Sequence, residues 1–376
     1  MTRCLLGAGA LAACILPLAM GATALAQTQV AKIAYVGPLT GPNTAMGIGT
    51  RNSLELAIRE ANAAKALPFT LEVVSESDDS KPSTGVSAVQ KLCNDPSVVA
   101  ASAHWNSPVA LATIPYFHQC GLLNLISGAS TDELTKQGVA EIGRVNTSLG
   151  YLLPHLAKSL VGTLNIKSVA IVKSRDTFGD AGSVGFVPEF EKLGGKVVAT
   201  EGYNVGDRDF TAILTKIRAL RPEAVYLSGL TTEAALVARQ MRQLGMQVPL
   251  VGHAGWQTST FVEAAGPAGE GAIVVTSLPF LKELPGGDAY AARYTAAGFR
   301  EPHEAYGPFG YAAGQVIVEL LKRNGANRKA IVAGLRQLKD IDTIFGRGSF
   351  DVSGELQPKY VDMAILTKGN WVPLRK

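Results

Sequence analysis

The chain alternates between short, largely apolar segments and longer segments in which apolar residues recur every three or four positions. The short kind, such as Val98 to Ala103 and Ala224 to Ser228, is typical of strands that are buried on both faces. The longer kind, such as Thr50 to Ala64, is typical of helices that pack along one face. This regular alternation, with short loops, predicts an α/β protein whose parallel sheets carry helices on both faces.

The predicted elements continue through most of the chain. Strands are expected at 31–36, 69–75, 98–103, 122–126, 168–172, 196–203, 224–228 and 249–252, and helices at 50–64, 84–94, 109–119, 152–160, 182–193, 210–219 and 232–244. A chain of 376 residues is too long for one ordinary core and fits two domains.

The first 26 residues have the features of an export signal. Arg3 supplies a positive charge, an apolar segment follows it as far as Ala24, and Ala24-Leu25-Ala26 fits a cleavage site before Gln27. We therefore expect a signal peptide at 1–26 and an exported protein. Two alternatives stay open, namely a retained membrane anchor and a lipoprotein attached through Cys14, which ends a lipobox-like Leu-Ala-Ala-Cys.

Composition and motif spacing exclude several classes of function. The net charge is only +4, and the sequence has no long basic run, so nucleic acid is not expected as a partner. The histidines lack metal-ligand spacing, and the sequence contains no dinucleotide-binding glycine pattern and no nucleophile motif. We therefore expect no cofactor, no bound metal and no enzymatic activity.

Two cysteines, Cys93 and Cys120, follow the predicted signal segment. In an oxidising compartment they predict one disulfide, whereas in the cytosol the same pair would be two buried thiols. The sequence alone does not establish that their Cα atoms are close enough for a bridge.

Two neighbouring strand ends carry a serine at the start of the next helix. After the strand at 98–103, Ser107 is placed as the N-cap and Pro108 at the first helical position. After the following strand, Ser130 and Glu133 match a capping box. The free N–H groups of two adjacent helix starts suit a carboxylate, and ligands of α/β sheets bind at this edge. The alternative is that both serines only cap their helices.

Several short motifs follow one another along the chain in a recognisable order. They are Ile33 to Pro42, Asp78-Asp79, Asn106-Ser107, Gly121 to Leu123, Ser127 to Ser130, Asp209-Phe210, Tyr306 to Ala312 and Gly346 to Asp351. In this order they resemble the type I periplasmic solute-binding proteins of the leucine/isoleucine/valine-binding family, which serve ABC importers. The resemblance covers essentially the whole chain after the signal segment.

The resemblance implies two doubly wound parallel-sheet lobes, joined by a hinge of three crossovers, that close on a ligand. The crossovers are expected near 145–147, 276–278 and 350–354. The N-terminal lobe would then comprise 27–146 and 278–352, and the C-terminal lobe 147–277 and 353–376. The resemblance further implies a periplasmic monomer that delivers a small molecule to a permease in the inner membrane, or alternatively a periplasmic ligand sensor.

The family's site can be carried over position by position. The positions that hold a ligand carboxylate match at Ser107, Gly128 and Ser130, with Asn106 and Ala129 beside them. The positions that hold an α-ammonium do not match, because Ala254 replaces a glutamate, Leu230 replaces a tyrosine, and Phe178 has no hydroxyl. An ammonium buried without a partner is costly, which disfavours a zwitterionic amino acid.

The remaining residues expected around the ligand are apolar or aromatic. They are Trp105, Phe178, Leu230, Trp256, Tyr306 and Met46, with Tyr151 as a further candidate. An anion site with such walls predicts an aromatic or keto monocarboxylate as the ligand. A branched-chain or other hydrophobic amino acid is the alternative, which requires a displaced carboxylate from Asp176, Asp180 or Glu233. His104 and His253 are expected to contact polar ligand groups or to be structural.

Overall fold

Two large sheets divide the molecule into two α/β lobes. The computed structural model describes residues 1–2 and 30–375, so the predicted signal peptide, apart from its first two residues, and Cys14 lie outside the described part. Each lobe contains one large sheet with helices on both faces, and the chain passes between the lobes three times. The predicted fold class is confirmed.

The first lobe is built on five parallel strands in the order β2-β1-β3-β4-β5. These strands are β1 (Val30–Gly37), β2 (Thr70–Ser77), β3 (Val98–Ala103), β4 (Leu123–Ile126) and β5 (Ile142–Arg144). The helices that connect them are α1 (Thr44–Ala63), α2 (Pro82–Cys93), α3 (Ser107–Cys120) and α4 (Glu133–Lys136).

The second lobe follows directly in the chain and has seven strands. Its first part comprises α5 (Leu149–Lys158), β6 (Ser168–Ser174), α6 (Thr177–Lys192), β7 (Lys196–Tyr203), α7 (Thr211–Ala219), β8 (Ala224–Ser228), α8 (Thr231–Gln243), β9 (Leu250–His253), α9 (Ser259–Ala265) and β10 (Ile273–Thr276). Its last two strands come from the C-terminal end of the chain.

The chain then returns to the first lobe before it completes the second. The returning segment forms α10 (Gly287–Ala296), α11 (Gly307–Asn324), α12 (Arg328–Leu335), β11 (Ile341–Thr343), β12 (Gly346–Phe350) and β13 (Leu356–Gln357). Helix α11 packs along α1 of the first lobe. The last strands, β14 (Asp362–Thr367) and β15 (Asn370–Pro373), join the second sheet in antiparallel orientation beside β10.

Alternation along the central strands explains why they are apolar at nearly every position. In β1, Ile33 and Tyr35 pack in one core of the first lobe, while Ala34 and Val36 pack in the core on the opposite face. Strand β6 of the second lobe divides its residues between two cores in the same way. Both sheets are therefore covered on both faces, as parallel sheets require.

The three crossing segments lie side by side. The hydroxyl oxygen of Thr147, in the first segment, is 3.2 Å from the carbonyl oxygen of Ser277 in the second and 3.0 Å from that of Tyr360 in the third. The third crossing differs from the predicted place at 350–354, because Leu356 still pairs with Phe350 and packs in the core of the first lobe. The other predicted lobe boundaries stay predictions.

Several predicted helix starts are wrong by a few residues. Helix α1 begins six residues before the predicted Thr50, and α6 begins at Thr177 because the Asp176 carboxylate accepts the Gly179 N–H and caps the helix there. The predicted capping box of Ser130 and Glu133 is also wrong. Asp132 is the N-cap residue of the short helix α4, and its side chain makes no capping bond.

Cys93 and Cys120 lie at the ends of α2 and α3, with their Cα atoms 5.7 Å apart and their sulfur atoms joined in a disulfide. In the part of the chain that the structure describes, no helix combines the length and apolar character needed to cross a membrane.

Candidate functional site

A small cavity lies between the two lobes, at the carboxyl ends of their parallel strands. The space between its walls, counted together with its opening to solvent, is about 330 Å³. The first lobe supplies Trp105, Asn106, Ser107, Pro108, Gly128, Ser130 and Tyr306, and the second supplies Asp176, Phe178, Leu230 and Gly255. Eight of the twelve positions proposed from the sequence for the ligand therefore come together here, although some are about 200 residues apart in the chain.

One end of the cavity is made of hydrogen-bond donors at the start of α3 and in the loop after β4. The structure shifts the helix start by one residue from the prediction, so that Asn106 is the N-cap residue and Ser107 is already helical. The hydroxyl oxygen of Ser107 lies 3.3 Å from the Ser130 backbone nitrogen and 3.4 Å from that of Thr131. The predicted capping role of Ser107 is thus wrong, but its hydroxyl joins the two halves of the expected anion site.

The body of the cavity is apolar. The indole of Trp105 meets the ring of Tyr306 edge to face, with 6.1 Å between centroids, and burial raises the pKa of the Tyr306 hydroxyl to about 12. From the second lobe, Phe178 packs its edge on His253 at 5.3 Å, and Leu230 contacts the cores of both lobes. These walls can cover a flat or branched apolar group.

Asp176 contributes the one formal charge among the residues that surround the cavity. It is partly buried, and its Oδ1 accepts the Gly179 N–H and the Ser174 hydroxyl, both at 2.8 Å. Its other carboxylate oxygen, Oδ2, has no protein partner among the described residues. The sequence singles out Asp176 only as a displaced carboxylate, because its role as a helix cap already accounts for its position.

Other proposed ligand residues lie away from the cavity. Trp256 is fully buried in the second lobe, 5.0 Å from Phe261 and 6.1 Å from Trp371 between ring centroids. Met46 and Ala254 belong to the core that centres on the first lobe, Ala129 belongs to the core around α3, and Tyr151 is exposed at the surface. These five residues do not border the space where a ligand fits.

The two candidate histidines have structural partners. His104 Nδ1 lies 2.8 Å from Asp78 Oδ2, and both side chains are fully buried. His253 Nε2 lies 2.6 Å from the Tyr226 hydroxyl, and burial lowers the pKa of His253 to about 4, so it is neutral at physiological pH. Both histidines support the walls of the cavity from behind.

Two cavity residues, Pro108 and Gly255, are not among the ligand positions proposed from the sequence. Pro108 and Gly255 border the cavity, and neither carries a side-chain signal for binding. A Cβ at Gly128 would lie 2.7 Å from Trp105 Cα, so this loop approaches the Trp105 backbone as closely as only glycine permits.

Comparison with known proteins agrees with this geometry. The family model described as "Periplasmic binding protein" matches residues 30–366. A "Leu/Ile/Val-binding protein homolog 1" of Brucella melitensis is 30% identical over 335 residues, which are 86% of this chain and 87% of the relative.

Two solved structures share the fold across most of the chain. One is the branched-chain amino acid transporter substrate-binding protein LivJ of Streptococcus pneumoniae in complex with isoleucine, with a TM-score of 0.84, 22% identity, and coverage of 91% of this chain and 97% of that one. The other is a solute-binding protein of an R. palustris ABC transporter in complex with benzoate, with a TM-score of 0.82, 20% identity, and coverage of 92% and 95%. The chain therefore belongs to the periplasmic binding protein family.

Proposed function

We propose that this protein binds a small aromatic monocarboxylate between its lobes and delivers it, as a monomer, to the permease of an ABC importer. A keto acid with an apolar body belongs to the same proposed class. The protein then acts by binding and release, without catalysis. The observation that carries the proposal is a cavity with hydrogen-bond donors at one end and walls that are apolar apart from Asp176.

The donor end is suited to a carboxylate. The N-terminus of α3 has no side-chain cap, so its N–H groups and the Ser107 and Ser130 hydroxyls are available to oxygen atoms of a ligand. Hydrogen bonds to a charged acceptor are stronger than neutral ones, and this favours a carboxylate over a neutral group of the same shape. A ligand bound here would replace the long contacts between Ser107 and the loop after β4.

Apart from Asp176, the opposite wall is poorly suited to an ammonium group. An ammonium has three donors, and the second-lobe residues Phe178, Leu230 and Gly255 supply no side-chain oxygen. The Gly255 carbonyl already accepts the Thr231 hydroxyl at 3.2 Å. A flat ring between Trp105, Tyr306 and Phe178 would bury apolar surface without leaving donors unpaired.

Asp176 favours a second candidate, which is a hydrophobic amino acid. Its Oδ2 is free to pair with an α-ammonium, and the LivJ structure with isoleucine shows that this fold accommodates such a ligand in another protein. A phenolic hydroxyl offers the same carboxylate a single donor, so that a hydroxylated aromatic acid satisfies Asp176 as well. A solute-binding protein of R. palustris was solved with 4-hydroxybenzoate.

Direct titration distinguishes the two classes of ligand. We expect leucine, isoleucine and valine to bind at least about tenfold more weakly than the best of benzoate, 4-hydroxybenzoate and phenylpyruvate, a difference of about 1.4 kcal/mol. Calorimetry on ligand-free protein measures the affinities, and the melting temperature should rise with each true ligand. Micromolar binding of leucine with no response to the acids would overturn the proposal.

Asp176→Asn tests whether Asp176 binds the ammonium group of an amino acid or only borders the site of an aromatic acid. Asparagine keeps the helix cap, so the fold should be unaffected, but it removes the negative charge. We expect the affinity for benzoate to stay within about threefold or to improve, since an anion leaves the cavity. A loss of tenfold or more in leucine binding, with no change in Asp180→Asn, would identify Asp176 as an ammonium partner; Asp180 is exposed and pairs with Lys173.

Ser107→Ala tests the donor end. We expect it to weaken binding of the preferred acid by about 1.5–3 kcal/mol, the usual contribution of a hydrogen bond to a charged group. Stability without ligand should change little, because the Ser107 hydroxyl accepts only two long contacts. The exposed Ser87→Ala on α2 is the matched control, and equal affinities of the two variants would remove Ser107 from the site.

A further inference from the structure

A buried ionic cluster of Arg144, Glu355 and Lys359 lies behind the donor end of the cavity. Their side chains are 1%, 8% and 3% exposed. Arg144 Nε donates to Glu355 Oε1 at 3.0 Å, and the Lys359 ammonium lies 2.7 Å from Glu355 Oε2. The cluster therefore contains two cations and one anion, all withdrawn from water.

The cluster holds the loop of the anion site from behind. Arg144 Nη1 donates to the Thr131 carbonyl at 2.7 Å, and Lys359 donates to the Asn146 carbonyl at 2.7 Å. The Asn146 amide in turn donates to the carbonyls of Gly128 and Ala129, at 2.9 and 3.2 Å. In a trans peptide the N–H points away from the C=O of the same unit, so fixing the Ala129 carbonyl backwards aims the Ser130 N–H forwards, towards Ser107.

The excess positive charge needs a reason. A buried charge without a full partner is costly. Among the described residues, Glu355 is the one carboxylate in ion-pair contact with Arg144 and Lys359, and Asp351 also attracts Lys359 without forming an ion pair with it. The cavity offers no cation of its own, since Asp176 is the charged residue at its border. A ligand carboxylate bound at Ser107 and Ser130 would supply the missing negative charge. Only the backbone of the loop after β4 would separate it from the cluster.

We infer that the Arg144–Glu355–Lys359 cluster positions the anion site and supplies the positive potential that balances the ligand carboxylate. The inference rests on the proposed function in one respect, because it requires that the ligand carries a carboxylate. It does not depend on the rest of the ligand. Arg144 precedes the first crossing and Lys359 lies in the third, so the cluster also links the anion site to two of the three crossing segments. Lys359 and Arg144 are positioning residues, because neither borders the cavity.

The pH dependence of binding reports on Lys359. Burial lowers the pKa of Lys359 to about 8, against the opposing effects of Glu355 and Asp351, while the Arg144 charge lowers it further. Because the charged lysine favours an anion, the affinity should fall as pH rises from 7 through 8 to 9.5. Benzoate keeps its charge throughout this range, and the pKa of Tyr306 lies far above it.

The experiment compares the full protein with Lys359→Arg and Lys359→Met, using benzoate as the first probe in calorimetry from pH 7 to 9.5. We expect Lys359→Met to bind benzoate about tenfold more weakly at pH 7. Lys359→Arg should stay within about threefold of the wild type at pH 7 and lose no affinity up to pH 9.5, because arginine stays charged. Urea unfolding of each variant accompanies the titrations.

A wild-type affinity that is constant from pH 7 to 9.5, or equal benzoate binding by all three proteins, would overturn the inference. The wild-type profile needs no substitution, so the test stands even where a variant folds poorly. If the titrations of amino acids and aromatic acids identify leucine as the ligand, leucine replaces benzoate as the probe. The proposed ligand class is then wrong, but the inference about the cluster is still tested. The ratio of wild-type to Lys359→Arg affinities then carries the test, because titration of the leucine amino group cancels in that ratio.

Discussion

Replacing Glu355 with alanine is expected to lower the free energy of unfolding by about 3–5 kcal/mol, since it leaves the charges of Arg144 and Lys359 buried without their partner. Glu355 also accepts the Thr135 hydroxyl at 2.7 Å, so the substitution removes the centre of a four-residue network. Urea unfolding of ligand-free protein measures the loss.

Glu319→Ala is the matched control. Glu319 lies on α11, where it pairs with Arg323 at 2.7 Å at the surface, and we expect a change below about 1 kcal/mol. Losses of equal size in the two variants would show that burial of the cluster contributes nothing.

The same carboxylate predicts an acid dependence. The charges of Arg144 and Lys359 lower the pKa of Glu355 from 4.5 to about 2, despite burial, which acts in the opposite direction. A carboxylate with a lowered folded-state pKa stabilises the protein above the unfolded pKa, and that stability is lost as pH falls from about 5 to about 2. The wild type should therefore lose more stability than Glu355→Ala over this interval.

Gly128→Ala is expected to weaken ligand binding at least tenfold and to lower the free energy of unfolding by about 1–3 kcal/mol. The new Cβ would lie 2.7 Å from both Cα and Cδ1 of Trp105, and 3.2 Å from the His104 carbonyl oxygen. Relief requires the Trp105 backbone or the loop after β4 to move, and both border the cavity. Calorimetry with the preferred acid and urea unfolding measure the two effects.

Gly162→Ala provides the comparison for this substitution. Gly162 lies in the π-helical turn Ser159–Thr163 that continues α5, is exposed, and has open space where a Cβ would be placed. Its affinity for ligand should equal that of the wild type. Retained affinity in Gly128→Ala as well would mean that the contact between the loop and Trp105 is not needed for binding.

The fold could be predicted from the sequence because its signals are local. Strands such as β3 and β8 have the predicted bounds, since each is an apolar segment between polar turns that needs no distant partner to be recognised. Errors are concentrated at helix starts and at the third crossing. The segment Val352 to Gly354 reads as a break between lobes, but it is a turn inside the small sheet of β11, β12 and β13, with Gly354 at a φ of +85°.

The site was predictable where strand ends define it and unpredictable where distant packing does. Ser107, Gly128 and Ser130 follow strands β3 and β4, so the order of the strands places them together. Trp256 also follows a strand end, yet Trp371, over a hundred residues later, draws it into the core beside Gly252, where a Cβ would lie 2.3 Å from the indole. The sequence around Trp256 does not predict a contact with a residue so far along the chain.

The return of the chain to each lobe has a consequence for biogenesis. Helix α11 must pack on α1, and β14 must join β10, before either lobe has its full core. A chain that emerges N-terminus first therefore cannot complete its first lobe until about residue 357, or its second until the final strands are present. Until those segments are present, each lobe lacks part of the packing that completes its core, so both lobes can close only late in synthesis.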